Sequence, residues 1–405
     1  MSNPAELTRI THVITGLATG GAEMMLLKLL GHWRAREFRH DVISLRDDQS
    51  GPIHAALVSL GIRVDCLGLS WPFPRPALVK RLASWLDERE PHIVQGWEVH
   101  GNLAATLAAR FWHAPGRLIW GVRGSLDRPE SERYRTRLII RVLGTLSQIP
   151  YRITYNSFAS ARQHEEIGYD PLKSVVIPNG FDMAAFRPDA KSRDSVRREL
   201  GLPPDVFLAG VIARYHPAKD HVNLLDAAVL LRSRLKIHFL LAGRGVDSSN
   251  RALVRLLAER QLTGQVSLLG QREDVSRLMA GLDLLVLPSC AESFPNVVGE
   301  AMASGVPCVV TRVGDAEHIV SDTGLVVPPR DAVALASAIY RFAALTTEER
   351  RALGRKAQER IRSCFSIQDI CSQYVHLYRS CVLGSDPAGW LHAERLRSRT
   401  VCAES

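Results

Sequence analysis

Short apolar segments alternate with helical patterns along almost the whole chain. In the first half the strand-like segments are residues 11–16, 40–45, 62–68, 92–97, 118–122 and 152–157. In the second half they are residues 206–214, 236–243, 265–270, 283–289, 307–311 and 324–327. Strand–helix alternation at this spacing predicts a parallel sheet with helices on both faces. The sequence therefore predicts two doubly wound α/β domains.

A charged, proline-bearing segment at 186–205 separates the two sets of strands. The length of 405 residues also exceeds one ordinary core. We predict a first domain over residues 1–190, a second over 191–364, a C-terminal segment over 365–405 and a cleft between the two domains. Ligands of such sheets bind outside the carboxyl ends of the strands, so the loops there are the candidate site.

The net charge of +9 is distributed in local basic clusters at 133–141, 191–198 and 232–236. A nucleic-acid-binding protein would combine such clusters with a recognisable module or with interleaved aromatic residues. Neither is present, so we predict no nucleic-acid partner. Basic faces also suit anionic lipid headgroups or anionic substrates, and solvated helix faces are an equally good explanation of any single cluster.

The sequence indicates a reduced, cytoplasmic protein. It has no run of 18 apolar residues that would span a membrane. The N-terminus lacks the basic flank and apolar stretch of a secretory signal. Seven cysteines are scattered without a C-x-x-C pair, a pattern typical of free thiols in the cytosol.

A glycine pair follows the first strand. Gly20 and Gly21 precede a helix that has Glu23 in its first turn. Such a turn lets the backbone approach a ligand, and the amides at the helix start suit an anion. The motif is neither G-x-G-x-x-G nor a P-loop, so a plain strand–helix turn is the alternative.

Two cations follow the first strand of the second domain. Arg214 stands at the end of the strand and Lys219 at the entry to the next helix. A guanidinium fork and an ammonium five residues apart suit the oxygens of a diphosphate. A surface ion pair is the alternative.

Two further loops of the second domain are weaker candidates. Gly243 and Gly245 leave a strand in a tight turn, and the loop "GQRED" with Arg272 follows the next strand. A loop of this kind could meet a base with its backbone groups.

The segment "ESFPNVVGEAMASG" contains two carboxylates, Glu292 in a loop and Glu300 on the following helix. Pro295 lies at or near the first helical position and Gly305 just past the end. The helix start presents amides to a negative or hydroxyl-rich ligand. Two such carboxylates suit recognition of sugar hydroxyls and need not act as an acid–base pair. The amides at the start of this helix are those of Phe294, Asn296 and Val297.

Together these motifs resemble the retaining, nucleotide-sugar-dependent glycosyltransferases of family 4. That family has the GT-B fold, two Rossmann-like domains facing a central cleft. The resemblance covers nearly the whole chain, and none of its motifs is specific for a sugar. It is carried by "GLATGGAE", "NSFASARQHEEIGYDPLKSVVIPNGFDMAAFRP", "ARYHPAKD", "LAGRG", "GQRED", "ESFPNVVGEAMASGVPCVVT" and "DTGLVVPPRDAVALASAI".

On the donor side, the resemblance implies that Glu292 contacts hydroxyls of the donor sugar and that Glu300 binds the ribose. Arg214 and Lys219 match the pair that binds the diphosphate. The resemblance also implies that Gly20 and Gly21 close on the diphosphate from the first domain, and that Arg272 meets the base. Gly243 is a further donor-binding candidate.

On the acceptor side, His100 in "GWEVHG" matches a histidine near the reacting carbon. The family often has a second histidine near "GVRGS", where this chain has Arg123. The resemblance implies transfer with retention, without a metal or another cofactor, and the catalytic candidates are His100, Arg214, Lys219 and Glu292.

The expected substrates are a UDP-sugar and a glycan or lipid-linked acceptor in the synthesis of an envelope polysaccharide. The helix "SIQDICSQYVHLYRSCV" resembles the segment that crosses back to the first domain in this family. Trp71 and Phe73, followed by Lys80 and Arg81, suggest peripheral contact with an anionic membrane, with a plain proline-rich loop as the alternative.

Two other functions stay open on the same fold. One is a nucleotide-sugar 2-epimerase, which needs groups placed to move a proton at the sugar carbon. The other is a catalytically silent protein that binds a sugar nucleotide or a glycan.

Overall fold

The structure is a computed structural model that describes residues 7–18, 20–33, 37–69, 76–113, 116–127 and 134–384. Contacts divide the chain into two compact units. Within the described residues, unit 1 contains residues up to Gly180 and from Ile367 onward, and unit 2 contains Phe181–Ser366. Trp71 and Phe73, on which the sequence suggested membrane contact, lie outside the described residues, as does the C-terminal segment from residue 385.

Within its described residues, unit 1 contains a parallel sheet of seven strands in the order β3-β2-β1-β4-β5-β6-β7. Its first elements are β1 (Thr8–Ile14), α1 (Gly21–His32), β2 (Phe38–Ser44), α2 (Pro52–Ser59), β3 (Arg63–Cys66), α3 (Pro76–Arg89), β4 (Ile93–Trp97) and α4 (Glu98–Ala108). The others are β5 (Arg117–Val122), α5 (Tyr134–Leu146), β6 (Arg152–Tyr155), α6 (Phe158–Glu166), β7 (Ser174–Val176) and the last helix, α15 (Ile367–Leu383).

The sheet of unit 1 is buried on both faces because side chains that alternate along its strands enter two different cores. In β1, Ile10 and Ile14 point into a core formed with α1, α2 and α15. Val13 points into the opposite core, formed with α3, α4 and α5. Burial on both faces explains why the strands are apolar runs and not alternating ones.

A chain of hydrogen bonds crosses the interior of unit 1 through two buried histidines. Trp97 Nε1 donates to His12 Nδ1 at 3.1 Å, and His12 Nε2 lies 3.0 Å from His40 Nδ1. An indole N–H can only donate, so His12 carries its proton on Nε2 and His40 accepts it on Nδ1. Both rings are therefore neutral, and burial lowers the pKa of His12 and lowers that of His40 to about 3.

Helix α15 closes one face of unit 1 with two buried tyrosines. The Tyr374 hydroxyl accepts from Arg123, and the Tyr378 hydroxyl donates to Gln95 of β4. The Tyr378 ring also lies 6.0 Å from the ring of Phe38. These bonds attach the last described helix of the chain to the sheet formed by its first half.

Within its described residues, unit 2 contains a parallel sheet of six strands in the order β10-β9-β8-β11-β12-β13. Its first elements are α7 (Ala190–Glu199), β8 (Phe207–Ile212), α8 (His221–Leu231), β9 (Ile237–Ala242), α9 (Arg251–Glu259), β10 (Val266–Leu268) and α10 (Val275–Gly281). The others are β11 (Leu284–Leu287), α11 (Asn296–Ala303), β12 (Cys308–Thr311), α12 (Ala316–Val320), β13 (Leu325–Val327), α13 (Ala332–Ala344) and α14 (Thr347–Cys364).

The two parallel sheets with interleaved helices confirm the predicted fold class. One strand was not predicted, β7, which has only three residues at the edge of the first sheet. The change of unit also differs, falling after Gly180 and not at residue 190. The reason is that Phe181 already belongs to the core of unit 2, where its ring stacks on Phe294 at 6.2 Å.

The packing of Phe181 in the core of unit 2 predicts that a substitution at Gly299, on the buried side of α11, strongly lowers stability. A side chain there would meet the Phe181 ring at 2.1 Å. We expect Gly299→Ala to lower the free energy of unfolding by about 1–3 kcal/mol, the usual cost of overpacking a core. Gly264→Ala is the matched control, because its added carbon would meet nothing within 4 Å. Urea unfolding followed by circular dichroism measures both variants, and equal stability of the two would contradict this account of the core.

Candidate active site

The carboxyl edge of the second sheet, where its parallel strands end, is a set of loops joined by backbone hydrogen bonds. The amide of Gly243, after β9, donates to Gly270 at 2.7 Å. The amide of Tyr215, after β8, donates to Arg244 at 2.8 Å. The amide of Cys290, after β11, donates to Ala218 at 2.8 Å. The loops after four neighbouring strands are therefore linked across this edge.

Two glycines on this edge leave no room for a side chain. Gly243 has φ of 149°, and an added carbon would meet the carbonyl oxygen of Ala213 at 2.2 Å. Gly314 has φ of 51°, and an added carbon would meet the carbonyl oxygens of Glu292 and Ser293 at 2.4 Å each. Only glycine fits such close backbone approaches at positive φ. Gly243 thus shapes the loop that the sequence proposed for donor binding.

Lys219 and Glu292 meet at the centre of the edge. The Lys219 ammonium lies 2.5 Å from Glu292 Oε1, and the buried Ser289 hydroxyl donates to the same oxygen at 2.7 Å. None of the hydrogen bonds among the described residues uses the other oxygen of Glu292. One carboxylate oxygen is fixed by the protein, and the second can accept from a ligand hydroxyl.

Arg214 is exposed and lies five residues before Lys219 in the sequence. It follows β8, and the turn Pro217–Lys219 comes directly after it. Its guanidinium forms no ion pair or hydrogen bond with the residues that the structure describes. A strand end thus presents an uncompensated cation, the arrangement expected of an anion site.

The start of α11 presents amides at the same edge. Pro295 is the N-cap residue, and no side chain caps the helix. The first amides of α11 therefore lack the usual side-chain acceptor and can bind a negative group. Glu300 is half-buried on this helix, one turn after the start, as the sequence predicted. Phe294 is buried and lies under the loop, while Asn296 and Val297 form the first turn.

Arg272 is held by carboxylates of its own unit. It contacts both oxygens of Asp274 at 2.8 Å, and Glu199 of α7 at 2.7 Å. Arg277 contacts the same two acids, so four charged side chains form one network. The arginines lower the pKa of Glu199, and they lower that of Asp274 to about 2. The geometry favours a structural role for this guanidinium, and contact with a base stays a prediction.

Unit 1 also places its candidates at the carboxyl edge of its sheet. Gly20 caps α1 and Gly21 begins it, directly beyond the loop that follows β1. His100 is the third residue of α4, whose first turn lies against β1 because an added carbon at Gly101 would meet the Val13 carbonyl at 2.5 Å. Burial and then the charge of Arg46 lower the pKa of His100, which keeps its imidazole neutral near pH 7.

Arg123 faces the interior of unit 1. Its guanidinium donates to Asn179 Oδ1 at 2.6 Å and to the Tyr374 hydroxyl, and it lies 4.8 Å from the centre of a Trp97 ring. The side chain is 8% exposed, which leaves little surface for an acceptor. These bonds favour a structural role in attaching α15, and the acceptor contact stays a prediction.

Two residues of these edges were not singled out from the sequence. Ser289 orients Glu292, but a serine at the end of a strand has no pattern that would identify it. Arg46 follows β2. Its charge helps to lower the pKa of His100 and opposes the rise that burial causes in the pKa of Glu23. A cation directly after a strand, the feature that identified Arg214, could have identified Arg46.

Neither a metal cluster nor a membrane-spanning helix was found in the part of the chain that the structure describes. No group of three His, Cys, Asp or Glu side chains there could hold a metal ion. No helix there is both long enough and apolar enough to cross a bilayer.

Two protein-family models match the chain. The model described as Glycosyltransferase Family 4 matches residues 19–185, and the model described as Glycosyl transferases group 1 matches residues 204–344. One covers most of unit 1 and the other most of unit 2, so together they span most of the sequence.

The chain is also similar to individual proteins. EpsF of Bacillus subtilis (strain 168), whose name assigns it to the glycosyltransferases, is 26% identical over 310 residues, 75% of this chain and 79% of EpsF. An Escherichia coli enzyme, UDP-Gal:alpha-D-GlcNAc-diphosphoundecaprenol alpha-1,3-galactosyltransferase, is 30% identical over 37% of this chain and 39% of its own. HepE of Anabaena, solved in complex with UDP and glucose, has a TM-score of 0.79 and 23% identity over 92% of this chain and 100% of that one, which shows the GT-B fold.

Proposed function

Because this chain belongs to the glycosyltransferases of family 4, we propose that it transfers a sugar from a UDP-sugar to a glycan or lipid-linked glycan with retention of anomeric configuration. The observation that carries the proposal is the carboxyl edge of unit 2, where Lys219 contacts Glu292 and where Arg214 and the start of α11, which no side chain caps, also lie. Two cations beside the start of a helix that no side chain caps suit a diphosphate. A carboxylate with only one oxygen bonded to the protein suits a sugar hydroxyl.

We propose one orientation of the donor on this edge. Arg214 and Lys219 would bind the diphosphate together with the first amides of α11. Glu292 would accept from a sugar hydroxyl with the oxygen that Ser289 and Lys219 leave unused. Glu300 would accept from the ribose hydroxyls. Gly243 would let the backbone of its loop approach the nucleotide closely.

The base and the acceptor are inferred from relatives. The Escherichia coli relative takes its sugar from UDP-Gal and acts on a diphosphoundecaprenol-linked GlcNAc, according to its name. HepE was solved with UDP and glucose. We propose uridine as the base and a polyprenyl-diphosphate-linked or free glycan as the acceptor, in the synthesis of an extracellular polysaccharide. The reaction would take place in the cytoplasm, with peripheral contact to the membrane that carries the acceptor.

The proposed reaction exchanges two bonds at the anomeric carbon on one face of the sugar. The bond from this carbon to the β-phosphate oxygen breaks, and its electron pair stays on the leaving phosphate. The acceptor oxygen forms the new bond, and its proton passes to the leaving phosphate. Arg214, Lys219 and the amides of α11 stabilise the charge that develops there, without a metal or another cofactor. His100 would hydrogen-bond the sugar as a neutral imidazole, because its pKa is lowered.

Ser289 is a positioning residue in this scheme. Ser289→Ala removes one of two bonds to Glu292 Oε1 and leaves Lys219 as its partner. We expect kcat/KM to fall about 10-fold, the cost of one hydrogen bond to a charged group, with nearly unchanged affinity for UDP. Ser372→Ala is the control, because that hydroxyl donates to the main-chain carbonyl of Gln368 within α15, in unit 1. Equal loss of UDP affinity and of turnover would contradict a role through Glu292.

Product analysis tests the reaction itself. The purified chain would be incubated with a panel of UDP-sugars and a lipid-linked acceptor, with and without a chelator. Proton NMR of the product then gives the anomeric configuration. The proposal predicts an α-linked product from an α-linked donor and equal rates in the chelator. An inverted product would refute retention, and abolition of transfer by the chelator would refute metal independence.

A further inference from the structure

An apolar stripe lies on the outward side of α5. Its inner side is an ordinary core face, with Ile139 and Leu143 fully buried against the sheet. On its outer side Tyr134 is 77% exposed, Leu138 45% and Val142 40%. These three residues are spaced by four, so they lie within an arc of about 80° at 100° per residue. The helix is thus apolar on two opposite sides, and only one of them is covered in unit 1.

Arginines border this stripe on both sides. At 100° per residue, Arg137 and Arg141 lie on one flank and Arg135 on the other. The helix contains no Asp or Glu. This is the pattern of a helix that lies in the surface of a bilayer, with apolar side chains among the acyl chains and cations at the level of the phosphates.

Exposed apolar residues are frequent in the part of the sequence that begins with α5. Of the 17 large hydrophobic side chains exposed among the described residues, six lie between positions 134 and 172. Besides the three on the helix, these are Ile149, Ile167 and Leu172, the last 87% exposed. Ile167 adjoins the helix, since an added carbon at Gly144 would meet the Ile167 carbonyl at 3.2 Å. Tyr134, Leu138 and Val142 form one row on the helix, and a row of this kind indicates an interaction surface, whereas single exposed apolar residues do not.

The stripe begins at the functional edge of unit 1. Strand β5 ends at Val122 on the carboxyl edge, and α5 runs back from that edge along the sheet. Tyr134 and Arg135 therefore lie toward the same edge as His100, the residue proposed for the reacting sugar. A membrane bound by this stripe would therefore lie next to the carboxyl edge of the unit 1 sheet.

We propose that the outward face of α5 (Tyr134, Leu138 and Val142, flanked by Arg135, Arg137 and Arg141) docks on an anionic lipid bilayer and brings the carboxyl edge of unit 1 to a membrane-borne acceptor. The role at the acceptor rests on the proposed function, and the lipid contact does not. The chemistry favours lipid over a second copy of the chain. In a symmetric dimer the same patch meets itself, which would place arginines against arginines.

Flotation with vesicles tests the proposal. The full chain would be mixed with vesicles of phosphatidylcholine alone and with vesicles that also contain phosphatidylglycerol. We expect binding to the second kind only. R135Q/R141Q should weaken binding about 30-fold, which corresponds to roughly 2 kcal/mol at 1.4 kcal/mol per tenfold change. L138S/V142S should weaken it further. R351Q/R355Q on α14, an equal loss of charge in unit 2, should leave binding unchanged.

UDP affinity and size-exclusion chromatography, measured on the same preparations, separate the outcomes. Wild-type chain that binds UDP but no vesicles would overturn the α5 proposal and leave the proposed function standing. Vesicle binding without UDP binding would support the lipid surface and refute the donor site. A wild-type dimer that L138S/V142S converts to a monomer would overturn the proposal in favour of self-association. Equal loss of vesicle binding in the α14 control would overturn it in favour of nonspecific charge.

Discussion

Arg214→Ala is expected to lower kcat/KM for sugar transfer about 10²–10³-fold, the usual effect of removing one preorganised group that stabilises developing charge. The physical reason is that the leaving diphosphate gains negative charge as the bond to the sugar breaks. Arg214 is exposed at the end of β8 and forms no ion pair among the described residues. Its loss therefore leaves no buried carboxylate unpaired, and the fold should be unaffected.

The matched control is Arg234→Ala. Arg234 is also exposed, but it lies at the opposite, amino-terminal edge of the same sheet, just before β9. Its activity should equal that of the wild type. Initial rates with a fixed acceptor and varied UDP-sugar measure both variants, with circular dichroism as the check on folding. If Arg214→Ala kept more than about a third of wild-type activity, a diphosphate role for this cation would be wrong, because a group of this kind contributes about 3 kcal/mol.

Acidification is expected to unfold unit 1 well before its carboxylates titrate. The pKa of His40 is lowered to about 3 by burial, and burial also lowers the pKa of His12. The unfolded chain takes up a proton near pH 6.5, and the folded chain does not. The stability from these neutral rings is therefore fully present above pH 6.5 and is lost as the pH falls toward the folded pKa. In that window each ring lowers the free energy of unfolding by about 1.4 kcal/mol for each pH unit of acidification.

The chain of hydrogen bonds explains why neither ring can simply accept the proton. His12 Nδ1 already receives the indole proton of Trp97, and His40 Nδ1 receives the proton of His12. A proton added at either acceptor nitrogen would place two N–H groups against each other. Two histidines together predict a loss of about 2.8 kcal/mol per pH unit, a large fraction of the stability of a typical domain.

Tryptophan fluorescence isolates this effect, because residues 181–366 contain no tryptophan. Urea unfolding at pH 7.5, 6.5 and 5.5 gives the free energy of unfolding of unit 1. His40→Phe keeps an aromatic ring in contact with Trp33, which lies 4.5 Å away. It should reduce the slope of stability against pH by about 1.4 kcal/mol per pH unit, the share of one ring. A stability that stays constant between pH 7.5 and 5.5 in the wild type would contradict the neutral histidine pair.

The fold could be predicted because alternation of strands and helices is a local property that survives in the sequence. What could not be predicted depended on tertiary contacts. The unit boundary lies before Phe181 and not at residue 190, because that ring packs into the core of unit 2. Strand β7 was missed because three residues are too few for a period to show.

The site shows the same limit at the level of side chains. Residue types and positions identified Lys219 and Glu292, and the structure brings them into contact. Residue types and positions could not show that Arg272 is held by Glu199, or that Arg123 donates to Asn179, because those partners are remote in sequence. The basic cluster at 133–141 likewise could not show which side of α5 faces solvent.

Calorimetric titration with UDP, GDP and ADP, without added metal, is the sharpest test of the donor site in unit 2. We expect UDP alone to bind tightly. Glu300→Ala should weaken UDP about 10- to 100-fold, because the ribose hydroxyls lose a charged acceptor. Glu259→Ala, an exposed acid at the end of α9, is the control and should bind like the wild type. If the folded protein bound none of the three nucleotides, the donor site at the carboxyl edge of unit 2 would be refuted, and with it the proposed transfer.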